Sequence, residues 1–160
     1  MSNFYIWRIC YDSSEWYSRI RNELLNGKLV QGWSPHGADL NSRAAYINTL
    51  VNDWKYKVED ATDRFDILKL ILDINEGDWI IVPKVSMSNP RIGRYSTICR
   101  AASRFRHEAP FHDHNDFCSV ISVEPRKTVS FDSVVGNLAG YRRAVNRVND
   151  YELQQAILSV

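Results

Sequence analysis

The sequence predicts an α+β fold, a small mixed β-barrel flanked by helices, in a single domain. Three observations indicate this class. Residues 79–82 are apolar at every position, which is typical of a strand buried on both faces. Strand-like and helix-like segments do not alternate regularly, as they would in a doubly wound parallel sheet. The length of 160 residues suits one domain, and no internal repeat or low-complexity linker divides the chain.

The first elements are predicted from local residue patterns. Residues 4–11 are dense in aromatic and β-branched side chains, which predicts a first strand. Residues 12–25 begin with a capping cluster and continue with apolar side chains at helical spacing, and Asn26-Gly27 ends this helix. Residues 29–33 predict a short second strand that runs into a turn.

The remaining chain is predicted to contain a helical insert, further strands and closing helices. Helical spacing of apolar residues places the insert at about residues 38–75. After it come the central strand at residues 79–82, strands at 92–101 and 117–123, and a short strand at 129–131. Glu124-Pro125 is expected to end the strand at 117–123 because proline lacks a backbone donor. Two closing helices are predicted within about residues 133–160.

Charge and composition narrow the classes of function. Twenty Lys and Arg stand against nineteen Asp and Glu, so nucleic-acid binding would need a local basic patch rather than a high net charge. Three cysteines without a paired spacing indicate free thiols and a reducing compartment. No apolar run reaches the roughly 20 residues of a membrane span. The expected location is the cytoplasm, without membrane association.

Several short motifs, taken in order, resemble those of a known group of proteins. They are Trp7 in the first strand, Gly32-Trp33, the run from Gly77 to Pro83, Ile92-Gly93-Arg94, and Asp116-Phe117 leading to Val123-Glu124. This order resembles the N-terminal, non-catalytic domain of Mrr-like restriction proteins. That domain belongs to the PUA-like superfamily, which includes EVE and YTH domains. The resemblance covers about residues 4–125.

The resemblance implies a PUA/EVE-like pseudo-barrel that holds a nucleobase, often a modified one, in an aromatic pocket. It also implies a setting in restriction or phage defence, beside a nuclease or other effector. No effector domain is evident in this chain, so a separately encoded effector, a free-standing sensor and a fragment of a longer protein stay open. The basic or aromatic residue of the family's last strand is not evident after Asp116-Phe117.

Four residues are predicted to contact the base. Trp33 follows Gly32 at a strand end, where an indole can stack on a base or simply close one end of the barrel. Trp7 and Trp79 lie within apolar strands, so packing in the core is the alternative to facing a lumen. Asp116 is placed to accept a hydrogen bond from the base edge.

A local concentration of basic residues lies between residues 84 and 107. Arginine presents a planar fork that suits phosphate or guanine, and Phe105 adds a stacking surface. An ordinary solvated basic loop is the alternative interpretation. The predicted phosphate-binding residues are Lys84, Arg94, Arg104, Arg106 and His107.

No metal, cofactor or catalytic site is predicted. The spacing of His107, His112 and His114 from Cys118 is not a recurrent zinc pattern. The segment Glu124-Pro125-Arg126-Lys127 places lysine at the wrong offset for a nuclease motif, and no phosphate-binding loop or hydrolase motif occurs. A nucleophilic pair of Cys118 with a histidine stays open as an alternative.

The leading functional hypothesis is a nucleic-acid-binding sensor that accepts a flipped, modified base. Modified DNA is the expected partner, with RNA as the alternative. A sensor of a small molecule or nucleotide signal is the second hypothesis. A protein-interaction module is the third, in which residues 133–160 dock a partner or pair two copies of the chain.

Overall fold

Seven strands and four helices are described in the computed structural model, which covers residues 1–34, 38–111, 113, 116–130 and 138–160. The strands are β1 (Phe4–Trp7), β2 (Lys28–Gln31), β3 (Trp79–Pro83), β4 (Tyr95–Ala101), β5 (Arg106–His107), β6 (Ser119–Ser130) and β7 (Val145–Arg147). The helices are α1 (Ser14–Leu25), α2 (Arg43–Asn52), α3 (Val58–Leu72) and α4 (Tyr151–Leu158). The fold is therefore mixed α+β, as predicted.

The strands form one curled sheet, a half-barrel, in the order β2-β6-β4-β3-β1-β7, with β5 paired to β6. The pairing of β1 with β3 is parallel, and the other pairings are antiparallel. Ile80, Ile81 and Val82 on β3 are all fully buried. Their continuous burial confirms the predicted central strand, because an apolar run without alternation needs cover on both faces.

Helices and loops cover both faces of the sheet. Along β1, Tyr5 and Trp7 pack into one core cluster, whereas Phe4 and Ile6 pack into another. Successive side chains of a strand point to opposite faces, so these two clusters lie on the two sides of the sheet. None of the helices in the described part of the chain is long and apolar enough to cross a membrane.

Strand β6 is longer than predicted and bends. Its first residues pair with β2, and the stretch after Ser122 pairs with β4. The register with β4 shifts between Ile98 and Cys99, because Ile98 lies opposite Lys127 while Cys99 lies opposite Pro125. The predicted strand end at Glu124-Pro125 is therefore wrong: a bulge accommodates the proline, and the separate strand expected at 129–131 is the end of β6.

The C-terminal region differs from the prediction of two helices. The described residues form a short 3₁₀ turn at Leu138–Gly140, strand β7 and the single helix α4, while residues 133–137 lie outside the described part. Strand β7 pairs with β1, and the Val148 N–H donates to the Phe4 carbonyl. Pairing at this edge satisfies backbone groups of β1 that a packed helix would leave without partners.

The predicted helical insert is confirmed as α2 and α3. The Ser42 side chain caps α2 by accepting from the Ala45 N–H, as serine commonly does. The two helices share a small core of their own, which contains Tyr46 and Leu68. The Tyr46 hydroxyl donates to the Trp33 carbonyl at 2.6 Å, so the insert is tied to the chain just after β2.

Candidate functional site

A cavity of about 640 Å³ lies where the chain leaves β1 and β2. Its wall consists of residues 8–12, 31–33, 116, 117, 142 and 144. The predicted first strand extends to residue 11, but β1 ends at Trp7. The segment that leaves the sheet after Trp7 supplies one side of the cavity.

Trp33 is held in the cavity wall from several directions. Its φ of 72° is in the left-handed region, which a bulky residue adopts only when its surroundings enforce it. The Tyr46 hydroxyl binds the Trp33 carbonyl, and the Arg64 guanidinium carbon lies 4.1 Å from the indole ring centre. Trp33 Nε1 is buried without a hydrogen-bond acceptor among the described residues. The indole is thus positioned by its backbone and by a stacked cation.

The Asp116 carboxylate lies against the backbone of Gly32. A β-carbon at position 32 would stand 3.3 Å from Asp116 Oδ1, which is tighter than an ordinary contact. The Ser119 hydroxyl donates to the Gly32 carbonyl at 2.7 Å and holds this backbone in place. Glycine at position 32 therefore lets a half-buried carboxylate and the Trp33 indole share one cavity wall.

Gln31 joins two sides of the cavity. Its side chain is 7 % exposed, and Nε2 donates to the Arg8 carbonyl at 2.7 Å. Its Oε1 accepts from the Gly32 N–H at 3.1 Å. Both polar ends of the amide are occupied by backbone groups, so the role of Gln31 is to fix the distance between the 8–12 and 31–33 segments.

Arg8 presents a guanidinium that backbone carbonyls hold in place. Nε donates to the Tyr141 carbonyl at 2.8 Å and Nη2 donates to the Leu138 carbonyl at 3.1 Å. Neither acceptor carries a full charge, so the hydrogen bonds orient the cation without neutralising it. Arg142, which is exposed, lies in the same wall. Two arginines thus share the wall with the carboxylates of Asp12 and Asp116.

Tyr11 connects the cavity to the loop after β3. Its hydroxyl donates to the Pro83 carbonyl at 2.5 Å, and burial raises the pKa of this hydroxyl well above its ordinary value. Lys84 Nζ lies 5.2 Å from the centre of the Tyr11 ring. The exposed ammonium group of Lys84 is therefore adjacent to the cavity wall, as a cation–π partner of a residue that lines it.

Comparison with known proteins adds no assignment to this geometry. No family model, curated protein or solved structure matches this chain. Membership of the PUA-like group accordingly stays a prediction. The function of the cavity is inferred below from its own contacts.

Of the predicted base-contacting residues, the structure brings two together. Trp33 and Asp116 both line the cavity. Trp7 is 0 % exposed inside the core and has no surface that a ligand could reach. Trp79 packs with the cluster on the other side of the sheet, where the Arg100 guanidinium lies 5.0 Å from its ring. Trp79 therefore points to the face of the sheet opposite the cavity, whereas Trp7 points to the cavity's side but is enclosed by the core.

The predicted phosphate-binding residues are dispersed. Of these residues, Lys84 lies next to a wall residue, because its ammonium group is over the Tyr11 ring. Arg94 and Arg104 are exposed at positions outside that wall. Arg106 is bound by Glu108, Ser103 and Ser122, so its charge is already paired.

His107 lies near the cavity without lining it. Its Nε2 is 3.1 Å from the carbonyl oxygen of Ser34, the residue after Trp33. The other two histidines of the same predicted loop, His112 and His114, lie outside the described residues. His107 thus supports the backbone beside Trp33, a position that its place in the basic segment did not predict.

Sequence reasoning missed most of the polar residues of the wall, among them Arg8, Gln31 and Arg142. Arg8 could have been recognised from the sequence, since it is the one charged residue in the otherwise apolar and aromatic stretch 4–11. Gln31 lies between Val30 and Gly32, and no motif in this stretch indicates a binding residue. Arg142 lies within the segment expected to be helical, and its place in the wall depends on the pairing of β7 with β1.

Proposed function

We propose that this protein is a nucleic-acid-binding domain whose cavity accepts a single extruded base. The observation that carries the proposal is the placement of Trp33 and Asp116 in one cavity wall together with the fixed guanidinium of Arg8. An aromatic face, an acceptor and a planar donor are the three chemical features that recognition of a base edge and face requires.

The dimensions and chemistry of the cavity suit this ligand. A volume of about 640 Å³ lies within the usual range of roughly 300–1,000 Å³ for pockets that bind small ligands. Stacking of a base on an indole contributes about 1–3 kcal/mol. The carboxylate of Asp116 would accept from an amino or ring N–H group of the base, and Arg8 would donate to a carbonyl or ring nitrogen.

The nucleic-acid backbone would be held outside the cavity. Arg142 is exposed in the wall and Lys84 is exposed beside Tyr11, so two long cationic side chains lie at the edge of the cavity. Both could reach phosphates that flank an extruded nucleotide. A net charge of +1 makes such local contacts, rather than the overall charge, the source of affinity.

The biological setting follows from the same proposal and from the resemblance noted above. The ligand would be a modified base in DNA, with RNA as the alternative, and the protein would bind it without catalysing a reaction. A PUA-like sensor of this kind would act in the cytoplasm in restriction or phage defence. Damage to the foreign nucleic acid would be carried out by a separate effector.

The test is a binding series with matched oligonucleotides that carry cytosine, 5-methylcytosine or 5-hydroxymethylcytosine at one position. Fluorescence anisotropy is measured for the wild type, Trp33→Ala and the control Trp54→Ala. Trp54 is an exposed indole outside the cavity wall, so its removal is expected to leave affinity unchanged. We expect Trp33→Ala to weaken binding by about tenfold or more, the loss of one stacked base. Equal affinity of all three proteins would contradict the proposal.

A free nucleotide or another small molecule is the second candidate. The dispersion of Arg94, Arg104 and Arg106 away from the cavity favours it, because it leaves few cations to follow a polymer backbone. Salt dependence separates the two ligands. Binding to a polymer that contacts several phosphates falls steeply with salt concentration, whereas binding of a mononucleotide changes little. Arg142→Ala should reduce the slope for a polymer, with the neighbouring exposed Arg143→Ala as its control.

A further inference from the structure

The hairpin tip at residues 91–95, between β3 and β4, exposes apolar side chains among cations. Ile92 is 44 % exposed and Tyr95 is 43 % exposed. Arg91 precedes Ile92, and Arg94 lies between the two apolar residues. Residues 83–95 contain Lys84, both of these arginines and no acidic residue. The hairpin tip is therefore apolar and positively charged at once.

Two other exposed apolar side chains, Val58 and Tyr151, lie in different surroundings. Val58 is followed by Glu59 and Asp60 at the start of α3. Tyr151 stands between Asp150 and Glu152. Acidic neighbours of this kind disfavour contact with a polyanion. The charge around the hairpin tip thus distinguishes it from ordinary exposure of single hydrophobic residues, which needs no explanation.

The loop that carries the hairpin tip is anchored at its base. The Tyr17 hydroxyl donates to the Lys84 carbonyl at 3.0 Å, and the Thr97 hydroxyl donates to the Val85 carbonyl at 2.9 Å. Arg21, which is buried, donates to the Ser86 carbonyl at 2.9 Å. Because these hydrogen bonds already order the base of the loop, the loop loses less conformational entropy when its tip binds a partner.

The base of this loop also adjoins the cavity. Pro83, whose carbonyl accepts the Tyr11 hydroxyl, pairs with Ser96 in the β3–β4 ladder. Tyr95 precedes Ser96 and Lys84 follows Pro83, so both residues adjoin the last pair of this ladder. Lys84 in turn contacts the ring of Tyr11, which lines the cavity. The base of the hairpin is therefore in contact with the wall that includes Trp33.

We propose that the hairpin tip is a wedge that enters a nucleic-acid duplex beside the cavity, with Ile92 inserted between base pairs and Arg91 and Arg94 on the flanking phosphates. The inference rests on the proposed function. Apolar side chains inserted at a base step unstack it, at a cost that contacts to the backbone offset. The wedge would hold open the position from which a base has moved into the cavity.

The experiment uses a duplex with 2-aminopurine next to the target base, whose fluorescence increases when it is unstacked. Ile92→Ala is compared with the wild type and with the control Val58→Ala, another exposed aliphatic residue. We expect Ile92→Ala to lose the fluorescence increase and to bind the duplex about tenfold less tightly. Its affinity for the same strand without a complement should be unchanged, because a single strand needs no wedge. Thermal unfolding of each variant verifies that the fold is retained.

The results separate this inference from the proposed function. The wedge is refuted if Ile92→Ala opens the duplex as the wild type does, or if it loses affinity for the single strand and the duplex equally. In either case the base site is judged separately, by whether Trp33→Ala weakens binding. If Trp33→Ala binds normally but Ile92→Ala loses duplex binding and the fluorescence increase, the base site is refuted, and the insertion of Ile92 stands without its role beside the cavity. Binding to anionic vesicles but to no duplex would overturn the wedge in favour of a membrane-surface contact.

Discussion

The guanidinium carbon of Arg64 lies 4.1 Å from the centre of the Trp33 indole ring. Arg64 is on α3, in the helical insert, whereas Trp33 follows β2. The contact therefore joins the insert to the cavity wall. A cation over an indole face contributes about 0.5–2 kcal/mol, depending on how far water is excluded. Its consequence for the site is that one face of Trp33 is already occupied, so a ligand has to use the remaining surface.

Replacement of Arg64 by methionine should affect binding more than stability. The variant loses the cation–π contact, but it also removes Nε, which is buried without a hydrogen-bond partner among the described residues. These two effects oppose each other, so we expect the free energy of unfolding in urea to change by less than about 1 kcal/mol. Ligand affinity should fall several-fold because Trp33 loses its support. A large loss of stability with unchanged affinity would contradict this view, and Arg43→Met on α2 is the control.

Substitution of Gly32 by alanine should displace Asp116. The new β-carbon would stand 3.3 Å from Asp116 Oδ1, so the carboxylate must shift by a few tenths of an ångström. We expect about a tenfold loss of affinity, comparable to one weakened hydrogen bond to a charged group, with little change in the melting temperature. Gly140→Ala is the matched control, because its added methyl group has no atom of the described residues within 4 Å, its chain neighbours aside. Unchanged affinity in Gly32→Ala would show that the position of Asp116 is unimportant for binding.

The stability of the protein should depend on the ionisation of Glu108. Hydrogen bonds from Lys28 and Arg106 lower the pKa of this carboxyl below its ordinary value. The unfolded chain then binds the proton more readily, so the stabilisation is present above the ordinary glutamate pKa and is lost as pH falls through the folded pKa. Glu108→Gln should unfold at lower urea than the wild type near about pH 7, and the difference should shrink towards about pH 3.

The control for Glu108 is Glu76→Gln, an exposed glutamate in the turn before β3. It should leave both the urea midpoint and its dependence on pH close to those of the wild type. Lys28 on β2 and Arg106 on β5 both contact Glu108, so the measurement also reports how the edges around β6 are held together. A constant difference between Glu108→Gln and wild type at all pH values would exclude the ionised carboxyl as its cause.

The sequence predicts those parts of the fold that depend on a pattern of neighbouring residues. The unbroken apolar run of β3 predicted a central strand because burial on both faces requires it. Strand β7 has only three residues, and its existence depends on hydrogen bonds to β1, more than 130 residues earlier in the chain. Propensity carries no information on such a pairing, so the segment containing β7 was assigned to a helix.

The difference between local patterns and distant contacts also explains which residues of the candidate site the sequence predicts. Trp33 and Asp116 were found because each flanks a strand in a chemically conspicuous way, as an indole after glycine and as an acid before an apolar run. Arg8 became part of the wall through the carbonyl groups of Leu138 and Tyr141. Those acceptors are distant in sequence, and a backbone carbonyl has no residue identity that a motif could reveal.

The reactivity of Cys10 should report occupancy of the cavity. Cys10 is half-buried and lines the cavity, whereas Cys99 and Cys118 are buried in the core. Burial also raises the pKa of the Cys118 thiol, which lowers its reactivity because the thiolate is the reacting species. In the native protein we expect one thiol to react rapidly with a disulfide reagent, and all three to react in denaturant. A bound oligonucleotide should slow the rapid reaction by at least about tenfold, since a base in the cavity blocks access of the reagent to the thiol.

Two variants decide whether the protected thiol is Cys10 and whether protection requires the cavity. Cys10→Ser should abolish the rapid reaction while the slow reactions of the buried thiols persist. Trp33→Ala should retain the rapid reaction but lose the protection at the same oligonucleotide concentration, because its affinity is reduced. Protection that survives in Trp33→Ala with unchanged midpoint would show that binding in the cavity does not depend on Trp33. Rapid reaction of Cys118 in the native state would contradict its burial immediately before the strand that begins at Ser119.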